Sequence, residues 1–399
     1  MTTNFTRRLT LFDVFCIASG AMISSGIFIL PGLAFAKCGP SFFLSYILGV
    51  FFAVPAMLSN AELTTAMPKA GGDYFFMSRS MGYGVGAIGG VCSWLSLSLK
   101  SAFALIGMGA YFSILFHVPI KVVAVIICIL FILLNIKGVK ETTRLQRYLV
   151  TGLFILLFFY VIVGFPKIDI HRYVPFVPYG KKAIFVTVGF IFVSYGGLTK
   201  IASVGEEVKN PGRNIPLGMM LSLFIVGTFY AFISFITVGL LPAEVLSSTQ
   251  VPLSLGAEQF LGSTGIIIMA VAAILAFVST ANAGMLSASR YPFAMSKDKI
   301  LPYLFSKVHK KYGTPYISII FTGLIMLISV IFLELEILVK VASTFLILIF
   351  MFSNIAVVIM RESRIFNYRP KFRSPLYPWM QLTGVITGAF LLFEMGRNG

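Results

Sequence analysis

The chain has 399 residues, of which 58% are hydrophobic and only 11% are charged. Water-soluble domains carry about 25% charged residues, so this composition excludes an ordinary soluble protein and indicates an integral membrane protein. The net charge of +17 suits either a nucleic-acid surface or the topology of a membrane protein, and the positions of the basic residues decide between the two.

Eleven stretches of the sequence are apolar enough to cross a bilayer as helices of about 20 residues. A β-barrel would show alternating segments of about ten residues, which the sequence lacks. We therefore predict an all-α integral membrane protein with about 11 transmembrane helices. The predicted spans are 11–35, 42–66, 85–115, 119–136, 147–165, 183–200, 217–241, 255–286, 316–334, 338–360 and 378–395.

Basic residues concentrate in alternate connections between these spans. With the N-terminus in the cytoplasm, more than two thirds of the 31 Lys and Arg residues lie in or beside the inner segments, as the positive-inside rule describes. The outer segment 166–182 is the exception. The charge therefore indicates a multi-pass protein of the cell (plasma or inner) membrane, with the lipid bilayer and not nucleic acid as its partner. Glu62 and the pair Glu206-Glu207 lie among basic residues, which favours inner-face ion pairs over parts of a gate.

Other classes of protein find little support in the sequence. Arg7 and Arg8 precede an apolar stretch, as in a signal peptide, but that stretch exceeds the usual ~7–15 residues and further spans follow. The four cysteines have no CxxC spacing, and only three histidines are present, which disfavours a disulfide framework and a metal or haem centre. With no cluster of catalytic residue types in the spans, we predict that the protein is not an enzyme and has no cofactor.

The first span contains small polar residues where a membrane helix should be continuous. It reads SGAMISSGIF at 19–28. A helix break at this depth frees backbone groups that lipid cannot satisfy, so it is tolerated where it lines a polar cavity or packs against protein. Serine and glycine at this spacing also suit a close helix-packing face, and the segment alone does not separate the two interpretations.

The sixth span has a second interruption, SYGG at 194–197, with two glycines that are unfavourable inside a helix. Spans one and six lie five apart, so two repeats of five spans would have opposite orientation. This arrangement is typical of secondary transporters whose substrate binds between paired broken helices. Half-helix N-termini there offer N–H groups to a carboxylate, and C-termini offer carbonyls to an ammonium. A zwitterionic amino acid fits this polarity.

Five motifs follow one another along the chain. They are SGAMISSGIF (19–28), AELTTAMPKAGGDY (61–74), NIKGVKE (135–141), FVSYGGLTKIASVGEEVKNPGRNIP (192–216) and SASRYPFAMSKDKILP (287–302) followed by GTP (313–315). In these motifs the sequence resembles the amino acid–polyamine–organocation permease family, which has the five-plus-five inverted-repeat fold of the bacterial leucine transporter. The resemblance implies one transporter domain over 1–399, with a first repeat over 11–165, a second over 183–360 and an extra helix over 378–395.

The same resemblance implies that the substrate meets backbone groups in spans one and six. The implied binding residues are Ala21, Ile23, Ser24, Ser25, Gly26, Val193, Ser194, Tyr195 and Gly197. Two positions depart from the usual family pattern. Ser24 replaces the first glycine of the family's span-one motif, where its side chain would narrow the carboxylate site or add a hydroxyl donor. Thr199 stands where many members have glutamate.

Coupling to an ion gradient is the least determined property. Several proton-coupled relatives carry a lysine in span five, where this sequence has Leu153. Ser279 and Thr280 in span eight form a hydroxyl pair at the depth where sodium-coupled users of the fold bind sodium, although such hydroxyls commonly bond to their own helix. Lys100 lies deep in span three, where a charge costs about 3 kcal/mol or more, so we expect it to face the protein interior or an aqueous path. It is either a proton carrier, a substitute for the missing lysine, or a structural donor.

We therefore predict a secondary active transporter, a permease acting as symporter or antiporter. It would move amino acids by alternating access, driven by a sodium or proton gradient or by exchange. The absence of an acidic residue in the predicted site disfavours a cationic substrate, and the apolar lining favours neutral amino acids, whereas Lys100 would suit an acidic side chain if it reaches the site. The alternative is a transporter-like sensor that binds an amino acid without net flux. The oligomeric state is left open.

Overall fold

The computed structural model describes residues 7–68, 72–138, 143–363 and 368–397, and over these ranges the chain is predominantly helical. The first half forms eight α-helices. They are α1 (Leu11–Met22), α2 (Ser25–Phe28), α3 (Leu30–Cys38), α4 (Phe42–Ala66), α5 (Gly72–Phe116), α6 (Ile120–Ile136), α7 (Thr143–Gly164) and α8 (Lys181–Ile191). Residues 69–71 of the second motif and 139–141 of the third lie outside the described residues.

The second half of the chain adds seven α-helices and one long 3-10 helix over Phe192–Ser203, which directly continues α8. The α-helices are α9 (Pro211–Leu240), α10 (Ala243–Ser248), α11 (Pro252–Leu261), α12 (Ser263–Lys297), α13 (Tyr316–Phe332), α14 (Leu335–Glu362) and α15 (Trp379–Arg397). The only extended pairing in the described chain is a single bridge between Leu9 and Val208.

Seven segments are long and apolar enough to cross a membrane, and three shorter apolar helices, α1, α6 and α13, accompany them among the described residues. The seven are Leu30–Ala66, Gly72–Phe116, Thr143–Lys167, Lys181–Ser203, Pro211–Leu240, Ser263–Lys297 and Leu335–Glu362. The all-helical, multi-pass membrane class is thus confirmed. The count of about 11 spans, the two inverted repeats and their boundaries stay predictions.

Glycines set two helix limits that the apolar pattern did not predict. The stretch 255–286 was predicted as one span, but Gly262 separates α11 from α12 with φ of +60°, a conformation that glycine adopts at little cost. Gly82 interrupts α5 with φ of +85°. Hydropathy reports how apolar a stretch is, and it does not detect a single residue that changes the direction of the chain.

Local polar contacts fix the start of α1. Thr10 and Asp13 form a capping box, in which a side-chain oxygen of each residue accepts from the backbone N–H of the other. Asp13 is completely buried and also forms an ion pair with Arg147 of α7. The beginning of α1 is therefore stabilised by hydrogen bonds within its first turn and by an ion pair with α7.

A buried carboxylate at the same end of the bundle joins α4, α14 and the segment that precedes α15. Glu62 is completely buried and accepts from Arg361 Nε at 2.8 Å and Nη2 at 2.6 Å. It also accepts from Tyr368 Oη at 2.8 Å and from the Ser374 backbone N–H at 2.7 Å. Burial, and then the neighbouring Glu62 charge, raise the pKa of Tyr368 above its ordinary value. The predicted ion pair at Glu62 is confirmed.

Candidate functional site

The break in the first span lies between α1 and α2, at Ile23 and Ser24. Carbonyl groups in the last turn of a helix have no partner within that helix. Here Lys100 Nζ donates to the Ala21 carbonyl at 2.9 Å, and the Tyr230 hydroxyl donates to the Met22 carbonyl at 2.6 Å. Side chains from α5 and α9 therefore satisfy the end of α1.

Tyrosines satisfy further carbonyls on the other side of this break. The Tyr46 hydroxyl donates to the Gly26 carbonyl at 2.7 Å, and the Tyr111 hydroxyl donates to the Phe28 carbonyl at 2.7 Å. All three tyrosines at the break, Tyr230 included, are fully buried. The interrupted first span is thus stabilised by hydrogen bonds from three other helices, α4, α5 and α9.

The break in the sixth span has a different form. The chain does not open at SYGG but tightens into twelve residues of 3-10 helix over Phe192–Ser203, far longer than the usual 3–4 residues of this conformation. Ser343 of α14 supports its start, accepting from the Val193 N–H at 3.0 Å and donating to the Phe190 carbonyl at 2.6 Å. Such long 3-10 segments inside a helix often mark a functional hinge.

The two interrupted segments pack directly against each other. A Cβ atom on Gly197 would lie 2.5 Å from the Ala18 carbonyl oxygen, and one on Gly26 would lie 2.9 Å from Ser194 Oγ. The hydroxyls of Ser24 and Ser194 are both buried and have no hydrogen-bond partner. Small residues therefore permit this close contact, and the two buried hydroxyls beside it are available to bind a ligand.

A cavity of about 50 Å³, here called the central cavity, lies where the two breaks meet α5 and α12. Ala21 of α1, Lys100 of α5, and Gly196 and Thr199 of the 3-10 helix all line it. Its remaining lining residues are Gly72, Leu97, Ser101, Lys200, Ser203, Thr280, Gly284, Ser287, Arg290 and Tyr291. The central cavity therefore lies between the first, third, sixth and eighth of the predicted spans.

The central cavity continues towards the end of the bundle that carries the Leu9–Val208 bridge. A wider cavity of about 310 Å³, here called the vestibule, shares Lys200, Ser203, Ser287 and Arg290 with it and reaches Leu9 and Glu207. The other end is closed by three aromatic rings, Phe28, Tyr111 and Phe277, whose centroids lie 5.8–6.0 Å apart. The described residues thus connect the central cavity to the vestibule end of the bundle.

Three basic side chains and no carboxylate are found among the described residues that line the central cavity. Lys100 is only 6% exposed and takes part in none of the ion pairs found among the described residues. Lys200 and Arg290 lie nearer the vestibule, where Glu207 is also found. As expected from the sequence, Lys100 faces the protein interior.

The two predicted hydroxyls of α12, on Ser279 and Thr280, lie in different environments. Ser279 Oγ donates to Gln146 Oε1 of α7 at 3.3 Å, whereas Thr280 lines the central cavity and its hydroxyl has no partner. Gln146 fills the space beside α1, since a Cβ atom on Gly20 would lie 2.1 Å from its Nε2. Among the described residues, no group of three or more His, Cys, Asp or Glu side chains is placed to hold a metal ion.

The predicted binding residues differ in how close they lie to the cavity. Ala21 lines the central cavity, and Val193 lines a smaller side cavity that also contains Lys100 and Asp73. The other predicted residues lie in the two breaks, where they pack against each other or close to the buried tyrosines. They are Ile23, Ser24, Gly26, Ser194, Tyr195 and Gly197, while the Ser25 side chain lies outside the described part.

Apart from Thr280, the sequence interpretation missed the residues of α12 that line the central cavity. Thr280, Gly284, Ser287 and Tyr291 line one side of the central cavity. Their spacing of three or four residues places them on one face of a helix, and all but Tyr291 are small. This stripe was readable in the sequence, and it identifies span eight as a wall of the cavity.

Comparison with known proteins places this geometry in context. The profile of a family described as amino acid permease matches residues 9–396. The methylthioribose transporter of Bacillus subtilis is 27% identical, over 93% of this chain and 85% of its own length. Two more relatives from that organism are the branched-chain amino acid permease BcaP, at 26% over 98% and 88%, and the serine/threonine exchanger SteT, at 27% over 97% and 90%.

These relatives are permeases and transporters rather than enzymes. The family match covers both helix breaks, the central cavity and nearly all of the remaining chain. The resemblance drawn from the five motifs is confirmed, and this chain belongs to the amino acid permease family.

Proposed function

We propose that the protein is a secondary active transporter that moves amino acids across the cytoplasmic membrane by alternating access. One observation carries the proposal, namely the cavity at which the breaks of the first and sixth spans meet, lined by Ala21 and Gly196. Paired broken helices with a site between them are a recurring architecture of secondary transporters. The N-terminus lies in the cytoplasm in this proposal, as the positive-inside rule favours, so the vestibule opens inwards.

In the proposed cycle, the substrate binds in the central cavity against backbone groups of the two breaks. The spans containing α1 to α3, α4, α8 with its 3-10 helix, and α9 rock against the rest of the bundle. The aromatic group of Phe28, Tyr111 and Phe277 separates and the vestibule closes. The unpartnered hydroxyls of Ser24 and Ser194 become available to the substrate as the breaks rearrange.

An amino acid substrate is supported by the family and by two of the relatives, which are named for branched-chain amino acids and for serine and threonine. A cationic side chain is disfavoured because no carboxylate is found among the described residues that line the central cavity. The expectation of a neutral side chain rests on the apolar lining of the predicted site and does not take Lys100 into account.

The driving force is either a cation gradient or exchange. Thr280 has a free hydroxyl in the cavity, but Ser279 is engaged with Gln146, so the two hydroxyls do not face one point. A sodium site at this pair needs Gln146 to move. Lys100 lies in the cavity and is the candidate for proton coupling, with exchange of one amino acid for another as the remaining mode.

The test is uptake of radiolabelled amino acids into proteoliposomes under a sodium gradient, under a proton gradient, or with unlabelled amino acid inside. Protein-free liposomes are the control. Flux above that control in any arm supports the transporter, and the productive arm identifies the driving force. Saturable binding without flux in all three arms would instead indicate a sensor, and neither binding nor flux would refute the proposal.

A further inference from the structure

Resting on that proposed function, we propose that the central cavity selects amino acids with an acidic side chain over their neutral amide counterparts, with Lys100 as the residue that binds the side-chain carboxylate. The proposal starts from an uncompensated charge. Lys100 is 6% exposed and forms no ion pair with any carboxylate in the described chain. A buried ammonium without a counter-charge is destabilising, and an anionic ligand would supply that charge.

The geometry leaves Lys100 able to bind such a ligand. Its ammonium has three donors, of which one is directed to the Ala21 carbonyl at 2.9 Å. A Cβ atom added to Gly196 would lie 3.5 Å from Nζ, in van der Waals contact, so the glycine leaves more room around the ammonium than a side chain would. Two donors therefore remain for a carboxylate in the cavity.

The position of Lys100 also affects where a substrate ammonium can bind. The Ala21 carbonyl already accepts from Lys100, so a substrate ammonium at that carbonyl would lie beside the Lys100 ammonium. A neutral amino acid would bring its ammonium towards that of Lys100, with only its α-carboxylate to compensate. An acidic amino acid brings a second carboxylate and a net negative charge, which makes its interaction with a protonated Lys100 attractive.

Two further cations extend the same preference along the entry path. Lys200 and Arg290 line both the central cavity and the vestibule. The positive-inside rule explains why Lys200 and Arg290 lie near the inner end. It does not explain Lys100, which lies in the middle of α5. Thr280, 6% exposed and with an unpartnered hydroxyl on the cavity wall, adds a neutral donor for the second carboxylate oxygen.

Asp73 is the carboxylate that competes with this interpretation. It is 1% exposed, and it lines a side cavity of about 10 Å³ together with Lys100. It does not line the central cavity, and it forms no ion pair with Lys100. In the described structure, no carboxylate therefore lies on the side of Lys100 that faces the central cavity.

The experiment compares two matched pairs, glutamate with glutamine and aspartate with asparagine, as inhibitors of labelled amino acid uptake and as ligands of the purified protein. In the wild type, at least one acid is expected to half-saturate at a concentration about tenfold or more below that of its amide. Lys100→Met should abolish this ratio by weakening the acid. Arg290→Gln should reduce the ratio less, because Arg290 lies further along the path.

The matched control is Lys340→Met, which removes the same charge from a separate surface cavity near Glu334 and Glu336 and should leave the ratio unchanged. Amides that bind as well as the acids in the wild type overturn the inference, and this measurement does not depend on whether Lys100→Met folds. A folded Lys100→Met variant that keeps the wild-type ratio also overturns it. Transport of amides alone refutes the acidic preference and leaves the transporter intact, whereas no flux or binding of any amino acid refutes the transporter itself.

Discussion

The breaks in the first and sixth spans are stabilised in different ways. Both interrupt a helix inside a membrane protein, where freed carbonyls need a partner. In the first span the partners come from elsewhere, with Lys100 and three tyrosines donating to carbonyls between Ala21 and Phe28. In the sixth span the chain keeps i to i+3 hydrogen bonds within its own 3-10 helix and takes support from Ser343.

This difference indicates which break depends on the rest of the bundle. A segment held by side chains of other helices changes when those helices move, whereas a segment with its own hydrogen bonds can move as a unit. We therefore expect substitutions around the first break to act through lost tertiary contacts. Substitutions in the sixth should act mainly where it touches the first.

The largest effect is expected at the contact between the two breaks. Gly197→Ala places a methyl group 2.5 Å from the Ala18 carbonyl oxygen, which is backbone and has little freedom to shift. Overpacking costs about 1–3 kcal/mol and occasionally more, so little monodisperse protein should remain after mild heating in detergent, measured by size-exclusion chromatography.

The neighbouring Gly196→Ala is the matched control for this prediction. Its added methyl group would meet only the ends of two side chains, Leu346 at 3.3 Å and Lys100 at 3.5 Å. It should therefore retain most of its thermal stability while changing ligand binding at the cavity. Equal stability of the two variants would show that the contact between the breaks is not tight.

A smaller effect is expected for Tyr230→Phe. The change removes the donor to the Met22 carbonyl, which is left buried and unpartnered, and such a loss costs about 1–3 kcal/mol. The melting temperature of the purified protein, followed by loss of the monodisperse peak, should fall by several degrees.

Tyr195→Phe is the comparison for that change. The Tyr195 hydroxyl donates to the Tyr46 carbonyl at 2.6 Å, but this carbonyl lies inside the continuous helix α4, where the backbone itself supplies a partner. The loss should be the smaller of the two. If Tyr195→Phe is the more destabilising, the tyrosines are acting through packing rather than through the freed carbonyls.

The smallest effect is expected for Ser343→Ala. This residue bonds to both Val193 and Phe190, yet the 3-10 helix can keep its own hydrogen bonds, so the loss should be about 1 kcal/mol or less. Ser353→Ala, in the same helix and bonded only to the Ile349 carbonyl, is the control and should change the melting temperature less. If the melting temperature falls as much for Ser343→Ala as for Tyr230→Phe, the sixth-span break is not stabilised mainly by its own hydrogen bonds.

The sequence predicted both breaks because serine and glycine are conspicuous in an apolar stretch, and it predicted that Lys100 faces inwards because lipid does not solvate an ammonium. It did not predict the partners. Tyr46, Tyr111 and Tyr230 lie in three helices, and nothing local to any of them indicates which distant carbonyl its hydroxyl will meet. The tight form of the sixth-span break was likewise hidden, since glycine permits an open segment and a 3-10 helix alike.

The Glu62 cluster has a mechanical consequence for any rocking of the bundle. Glu62 belongs to α4, one of the helices proposed to rock, while Arg361 belongs to α14 on the other side, and two hydrogen bonds join them. Separating this buried pair would leave an uncompensated charge at a cost of about 3–5 kcal/mol. In the proposed cycle the cluster would act as a pivot, and displacements should grow with distance from Glu62.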